Sequence, residues 1–323
     1  MARSAILLVG GMGTRLHPLT LETPKPMLPV AGVPFTEHQI FKAREAGIEE
    51  IVLATAFKAE IFKPHFGDGS NFGIKIKYAV EESALGTGGA IRNAANQIDS
   101  AGPVAIFNGD VLTGHDLSGQ FDFHEQNGAE VSLYLTKVVD ARAFGAVELD
   151  STSRVLAFNE KMENPPTNII NAGCYIFNRE VINEIPANKV VSVERETFPQ
   201  LLKRGANVYG FVDTSYWLDI GTPSALIKAS QDLLSGAVKS AATPEHAGQY
   251  LALAGASIDP TAKIINHSVI GRNATVAADA VIDGSVLFDG AVVSKGASLK
   301  NCFVAKGFEV PANTVGIDNF FGF

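Results

Sequence analysis

The chain has 323 residues, 46% hydrophobic and 19% charged, which is apolar material for one large domain with a smaller companion. Its formal net charge of −8 argues against a nucleic-acid backbone as partner, and no apolar run approaches the ~18–20 residues of a membrane span. The opening Met1–Val9 runs straight into a glycine loop with no cleavage-like segment, and Cys174 and Cys302 lie far apart in apolar surroundings, so a buried first strand, free buried thiols and a cytoplasmic location are expected.

In chain order, short runs rich in Val, Ile, Leu and Tyr predict strands over 4–9, 50–55, 74–80, 103–107 and 129–138, and helical patterns predict helices over 35–46, 58–66, 87–98 and 117–127. Such alternation implies an α/β fold with a doubly wound, mostly parallel, Rossmann-like sheet, whose ligands sit beyond the carboxyl ends of the strands. Three strand-like runs follow at 145–149, 155–159 and 169–177, a β-rich insertion expected to wall one side of a site. Helices at 179–185 and 194–204, strands near 207–212 and 216–220 and a helix over 222–235 complete the first domain, 1–236. Residues 237–255, rich in Ala, Gly, Ser and Thr, read as a linker.

From 256 to 323 the pattern changes. Apolar residues recur every six at Ile258, Ile264, Ile270, Val276, Ile282 and Phe288. After a five-residue step come Val293 and Leu299, and after another Val304 and Val310; a small residue often stands two places earlier, as at Ala256, Ala262, Ser268, Ala274 and Ala280. This register predicts a short C-terminal left-handed parallel β-helix of about three coils, each hexapeptide forming one side of a triangle.

The chemistry-bearing segments lie in the loops after the strands. Val9-Gly10-Gly11-Met12-Gly13-Thr14-Arg15-Leu16 follows the first strand, and its glycines let backbone N–H groups approach phosphate oxygens. It is neither a Walker A loop, since no Gly-Lys-Ser/Thr follows, nor a dinucleotide fingerprint, since Leu16 replaces the third glycine. Pro24-Lys25-Pro26 sets a lysine between two rings, expected on a stiff extended segment. Asp110 closes the strand over 103–107 through Asn108-Gly109-Asp110, and Asp219 lies in Trp217-Leu218-Asp219-Ile220-Gly221-Thr222-Pro223. Asp110, at a strand's carboxyl end, is placed to hold Mg²⁺ against phosphates or, equally, to cap the next helix or turn, and Asp219 reads as a cap for the helix opening at Thr222-Pro223. Glu81 and Glu82 open a turn into the small-residue run Gly86-Thr87-Gly88-Gly89-Ala90, where a flat base or ribose would fit close to backbone.

Taken together, Gly10–Leu16, Pro18-Leu19-Thr20 and Pro24-Lys25-Pro26-Met27-Leu28-Pro29 resemble the signature of the sugar-1-phosphate nucleotidyltransferases, and further matching segments follow in the family's order along nearly the whole chain. The resemblance implies that Val9, Gly10, Gly11, Gly13 and Thr14 wrap the nucleotide phosphates, and that Arg15 grips the departing pyrophosphate while Lys25 serves the α-phosphate. It also implies a Mg²⁺ site of Asp110 and Asp219, and a nucleotide pocket that includes Glu81, Leu85, Gly86 and Thr87. On the sugar side it points to Gly109, Gly145, Glu160, Lys161 and Asn171, with Phe158-Asn159-Glu160-Lys161 similar to the family's Phe-x-Glu-Lys-Pro element. Here Met162-Glu163-Asn164 separates Lys161 from Pro165, a departure that bears on the Lys161 contact. Ser192-Val193-Glu194-Arg195-Glu196-Thr197-Phe198-Pro199 is similar to a segment of the guanylyltransferases; Glu194 reads equally as a helix start.

Glu81-Glu82 in place of a Gln-Pro pair, and the hexapeptide tail, make the chain more similar to the mannose-1-phosphate guanylyltransferases than to the compact thymidylyltransferases. That resemblance implies GTP and mannose 1-phosphate as substrates, direct displacement at the α-phosphorus, Mg²⁺ as cofactor and a homo-oligomer, with no nucleic acid or membrane as partner. Other sugar and base pairs, a non-catalytic regulatory homologue and an acyltransferase built on the hexapeptide tail are the rival readings. Retention of Arg15, Lys25, Asp110 and Asp219 favours a working nucleotidyltransferase, and three coils with His267 alone as a base disfavour acyl transfer.

Overall fold

Unbroken apolar runs such as Ala5-Ile6-Leu7-Leu8 suit strands covered on both faces, and the computed structural model shows them so. It describes residues 2–56, 59–81, 83–246 and 248–323; Lys58, expected in a helix, and Glu82 of the acidic pair lie outside the described residues. The elements are β1 (Arg3–Leu8), β2 (Pro29–Val30), β3 (Val33–Pro34), α1 (Phe35–Glu45), β4 (Ile48–Thr55), α2 (Phe62–Phe66), β5 (Lys75–Val80), α3 (Gly86–Ala95), β6 (Val104–Asn108), β7 (Val111–Thr113), α4 (Leu117–Gln126) and β8 (Val131–Lys137). They continue with β9 (Gly145–Leu149), β10 (Val155–Glu160), β11 (Ile169–Phe177), α5 (Arg179–Glu184), α6 (Phe198–Lys203), β12 (Val208–Val212), β13 (Trp217–Asp219) and α7 (Pro223–Ser235). Among the described residues no helix is long and apolar enough to cross a membrane.

The chain forms two compact units. One comprises the segment up to Met12 with Gln39–Trp217; the other comprises Gly13–His38 with Leu218–Phe323. The first unit holds a sheet of order β10-β9-β11-β6-β1-β4-β5, with β8 on β11 and β12 on β8. The half β6-β1-β4-β5 is parallel, as the strand–helix alternation predicts. The other half turns on β11, antiparallel to β6, β8 and β9. Ile6, Val52, Ile106, Leu133, Tyr175 and Phe198 share its core. Along β11 the register with β8 shifts between Asn171 and Tyr175, where Gly173 adopts φ 81°, a left-handed value that suits glycine.

The second unit holds the hairpin β2–β3, helix α7 and the parallel β-helix. Thr222 caps α7 by accepting the Ala225 N–H at 3.2 Å, Pro223 takes the first turn, and Gly236 ends it at φ 79°. The β-helix has three parallel sheets, of five, four and four strands. Ser257 pairs with Thr275, 18 residues on, and Thr275 with Val292, 17 residues on, which is the expected change from three six-residue sides to two sixes and a five.

Two details differ from the sequence reading. The first sheet already begins with Tyr250–Ala252, inside the expected linker, and the strands run on to Phe320–Phe321, so the stack is taller than three coils. Its hexapeptide signal fades at the far end because Gly316 takes an inward position that the Phe321 ring fills. The short side also falls one step earlier. Leu287 points inward at 1% exposure and Phe288 does not, because the corner at Asp283-Gly284-Ser285 is the shortened one. Ser268, Ser285 and Cys302 stack at equivalent positions, Ser268 Oγ accepting the Ser285 N–H at 3.2 Å and Ser285 Oγ the Cys302 N–H at 2.9 Å. The thiol is thus a buried rung, and Cys174 is likewise buried and free.

Candidate active site

In the first unit, β1 carries the chain to Val9, whose N–H bonds the Ala54 carbonyl at 3.0 Å. A side chain at Gly10 would press on Ala56, whereas one at Gly11 would meet nothing within 4 Å, so the loop is open there. At the end of β6 the Gly109 N–H bonds the Leu8 carbonyl at 3.0 Å, and a Cβ at 109 would collide with that carbonyl, which accounts for glycine before Asp110. Helix α4 is capped by Asp116, whose carboxylate accepts the Gly119 N–H at 2.9 Å; Asp110 therefore does not serve as its cap.

The Glu81 carboxylate folds back to accept the Leu85 N–H at 2.9 Å, and burial pushes its pKa up against the lowering by that hydrogen bond. At the head of α3, a Cβ on Gly86 would lie 2.6 Å from the Val191 carbonyl, and one on Gly89 2.5 Å from that of Lys189. These glycines thus make room for the 189–191 strap of the protein itself, a reason the sequence did not disclose. Thr87 donates to Glu194 at 2.8 Å and accepts the Val193 N–H at 2.9 Å.

Glu194 proves central. Its carboxylate also accepts from Ser192 at 3.1 Å and from the Tyr175 hydroxyl at 3.5 Å, and Tyr175 in turn accepts from Asn171 Nδ2 at 2.8 Å. A polar chain thus joins Thr87 to Asn171, whose Oδ1 accepts the Gly173 N–H at 3.1 Å. Burial holds the Tyr175 hydroxyl well above its ordinary pKa, with the Glu194 charge adding to it. Tyr175 was not singled out from the sequence; Asn-x-Gly-x-Tyr places it four residues past Asn171 across a bulge, where strand periodicity fails as a guide.

On β9 and β10, Gly145 pairs with Glu160. A Cβ at 145 would lie 2.7 Å from Phe158 Cζ and 2.9 Å from Glu160 Oε2, so the glycine lets the carboxylate rest against backbone. Lys161 leaves the strand at φ 51°, its N–H on the Phe144 carbonyl at 3.1 Å and its Nζ 3.6 Å from Glu160 Oε1. A non-glycine residue in that region is held there by its surroundings, and this turn is how the chain departs after Lys161 without the family's proline. Trp217 donates its indole N–H to the Ala172 carbonyl at 3.0 Å and packs edge-on against Phe144.

In the second unit, Gly13 (φ 64°) starts the turn carrying Thr14 and Arg15. The Thr20 hydroxyl donates to the Gly13 carbonyl at 2.9 Å, and a Cβ at Gly13 would lie 2.8 Å from Lys25 Cβ. Lys25 is not extended: Lys25–Met27 form one 3-10 turn, with the proline in a first-turn position where its missing N–H costs nothing. The Arg15 guanidinium nitrogens and Asp219 Oδ1 each lie 3.0 Å from where a Cβ at Gly221 would stand, so glycine at 221 is what lets these two groups share that space. Thr222, not Asp219, caps the following helix.

Comparison with known proteins decides the family. A family model described as nucleotidyl transferase matches residues 4–236. The chain belongs to the nucleotidyl transferase family. A second model, GlmU-like C-terminal hexapeptide, matches 246–320 of this nucleotidyl transferase. The mannose-1-phosphate guanylyltransferase of Mycobacterium tuberculosis is 50% identical over 84% of this chain and 76% of its own, and mannose-1-phosphate guanylyltransferase 1 of Arabidopsis thaliana is 34% identical over 84% and 76%. Among solved structures, HddC from Yersinia pseudotuberculosis, also solved complexed with GMP-PN, superposes with a TM-score of 0.61 at 28% identity, covering 72% of this chain and 99% of its own.

Proposed function

We propose that the protein transfers the guanylyl group of GTP to mannose 1-phosphate, releasing pyrophosphate and forming GDP-mannose. The observation that carries this reading is the 50% identity to a mannose-1-phosphate guanylyltransferase over most of the chain, with Arg15, Lys25, Asp110 and Asp219 all in place. A phosphate oxygen of the sugar phosphate forms a bond to the α-phosphorus as the bond to the β-phosphate oxygen breaks. Both reactants are anions, so catalysis asks for cations and fixed N–H donors rather than a protein nucleophile. Lys161 neutralises the attacking phosphate, Lys25 the α-phosphate and Arg15 the departing pyrophosphate. Backbone N–H groups of the Val9–Thr14 loop receive phosphate oxygens at the open side of Gly11, and Gly109 brings backbone close to the sugar phosphate.

Glu160, against Gly145, accepts from hexose hydroxyls, with Asn171 beside them. Glu81, Leu85, Gly86 and Thr87 bound the nucleotide. Asp110 and Asp219 offer carboxylate oxygens, the donor type that Mg²⁺ takes when phosphates supply its other ligands; among the described residues no group of three or more His, Cys, Asp or Glu converges as a self-sufficient metal site. Mg²⁺ held there would supply charge neutralisation between the phosphates. The reading also includes a catalytic domain over 1–236 and a β-helix, begun by the strand Tyr250–Ala252, that assembles a homo-oligomer.

The test is a matrix of nucleoside triphosphates and sugar 1-phosphates with Mg²⁺, followed by pyrophosphate release. The expected maximum is GTP with mannose 1-phosphate, with Lys25→Ala slowing it by ~10² or more. A maximum at another pair would overturn the substrates, and normal turnover by Lys25→Ala would overturn the mechanism.

A further inference from the structure

The segment that carries Lys25 ends in the hairpin β2–β3, and its two-residue turn is unusual. Ala31 adopts φ 46° and Gly32 φ 82°. Glycine enters this region freely, but alanine brings its Cβ against the following carbonyl. A strained, fully buried alanine persists when its surroundings over-determine it, and such strain is a pointer to function.

The surroundings are specific. The Ala31 N–H donates to Ser230 Oγ of α7 at 3.0 Å, and that hydroxyl donates onward to the Leu226 carbonyl at 3.4 Å. His38 Nε2 bonds the Val30 carbonyl at 3.0 Å, and its Nδ1 lies 2.7 Å from Ser240 Oγ. A carbonyl can only accept, so Nε2 carries the proton and Nδ1 accepts from the serine. Gly32 is pressed against the first coil of the β-helix: a Cβ there would lie 2.9 Å from Leu251 Cδ2 and 3.0 Å from Leu253 Cδ2. The hairpin then transmits its position back along the chain. The Phe35 N–H bonds the Leu28 carbonyl at 3.0 Å, the Thr36 hydroxyl bonds the Pro26 carbonyl at 2.9 Å, and the Leu28 N–H closes on the Lys25 carbonyl at 3.1 Å.

We propose that Ser230 and His38 are positioning residues for Lys25, clamping the Ala31–Gly32 turn against α7 and the first coil of the β-helix so that the Lys25 segment keeps one geometry. This rests on the reading of Lys25 as the cation at the α-phosphate. It gives the tail a part in the chemistry apart from assembly.

Ser230→Ala leaves the Ala31 N–H without its acceptor. The expected result is a kcat about tenfold lower with both KM values within about twofold, since small misplacements of a catalytic group act on the transition state. Adding Ala31→Gly is expected to restore most of kcat, because glycine holds the turn without the clash. His38→Phe, which keeps a buried ring and loses both nitrogen contacts, should lower kcat as Ser230→Ala does. A Ser230→Ala enzyme of lower Tm but unchanged kcat, or a loss that Ala31→Gly does not relieve, would overturn the clamp. Amide hydrogen exchange over 26–34 decides the matter independently of turnover: faster exchange in Ser230→Ala, reversed by Ala31→Gly, upholds it, and unchanged exchange sinks it. If the wild-type protein turns over none of the pairs, the substrate reading fails and the exchange measurement still judges the clamp.

Discussion

Gly145 shows how a missing side chain can shape a site. Its position on β9 brings it opposite Glu160, and the space a methyl group would take is already claimed by the Phe158 ring and the Glu160 carboxylate. Gly145→Ala should displace that carboxylate, raising KM for the sugar 1-phosphate about tenfold and leaving KM for the nucleotide unchanged. Steady-state kinetics with each substrate varied separately checks this, and an equal rise in both KM values would speak against a sugar-side role. Candidate residues for the proposed site come from dense local motifs: the glycine loop, Pro24-Lys25-Pro26, Asp110, Asp219 and Glu160-Lys161. The Lys25 backbone was not legible, because two flanking prolines suit an extended segment and a first helical turn alike. Glu194 and Tyr175 were not either, since their partners Thr87 and Asn171 come together only through the fold.

Among the elements, the parallel half of the sheet followed from strand–helix alternation, and the hexapeptide period announced the β-helix. The antiparallel half did not show itself, because β11 draws partners from both sides and nothing local to it says which. The position of the short side in the β-helix was ambiguous for a simple reason: Leu287 and Phe288 are both apolar, and period alone does not choose between them. The structure chooses Leu287, which is fully enclosed, and leaves Phe288 half-buried, edge-on to Phe303 and Phe323. Leu287→Ala should therefore cost about 2–5 kcal/mol, as for other enclosed leucines, and Phe288→Ala less, about 1–3 kcal/mol from its two ring contacts. Urea unfolding of the two variants measures the difference. A larger loss from Phe288→Ala would mean that the coil register is the one first read from the sequence.

For the whole molecule, one property follows from histidines that the proposed mechanism does not use. His115 is enclosed, stacked on Tyr134 with ring centroids 4.0 Å apart and bonded to Gln120 Oε1 at 3.2 Å. Burial, helped by the nearby Lys42 charge, pushes its pKa down to about 3. Burial also lowers His38 and His124, against weaker raising contacts from the Val30 carbonyl and Asn178. In the unfolded chain each would titrate near ~6.5. A group depressed on folding contributes stability that is complete above the unfolded value and is lost as pH falls towards the folded one. His115 alone should thus remove about 2 kcal/mol between pH 6.5 and 5, with His38 and His124 adding in the same sense. Asp99 and Asp140, both held near about 2 by cationic neighbours, lose their contributions only at lower pH. Glu81, raised by burial, works in the opposite direction above the usual carboxylate range. The net expectation is a fall in unfolding free energy from pH 7.5 to 5 that His115→Gln makes shallower by about one proton, even though the variant is less stable at pH 7.5. Denaturation across that range decides it, and a slope that His115→Gln leaves untouched would remove His115 as the group that makes this fold sensitive to mild acid.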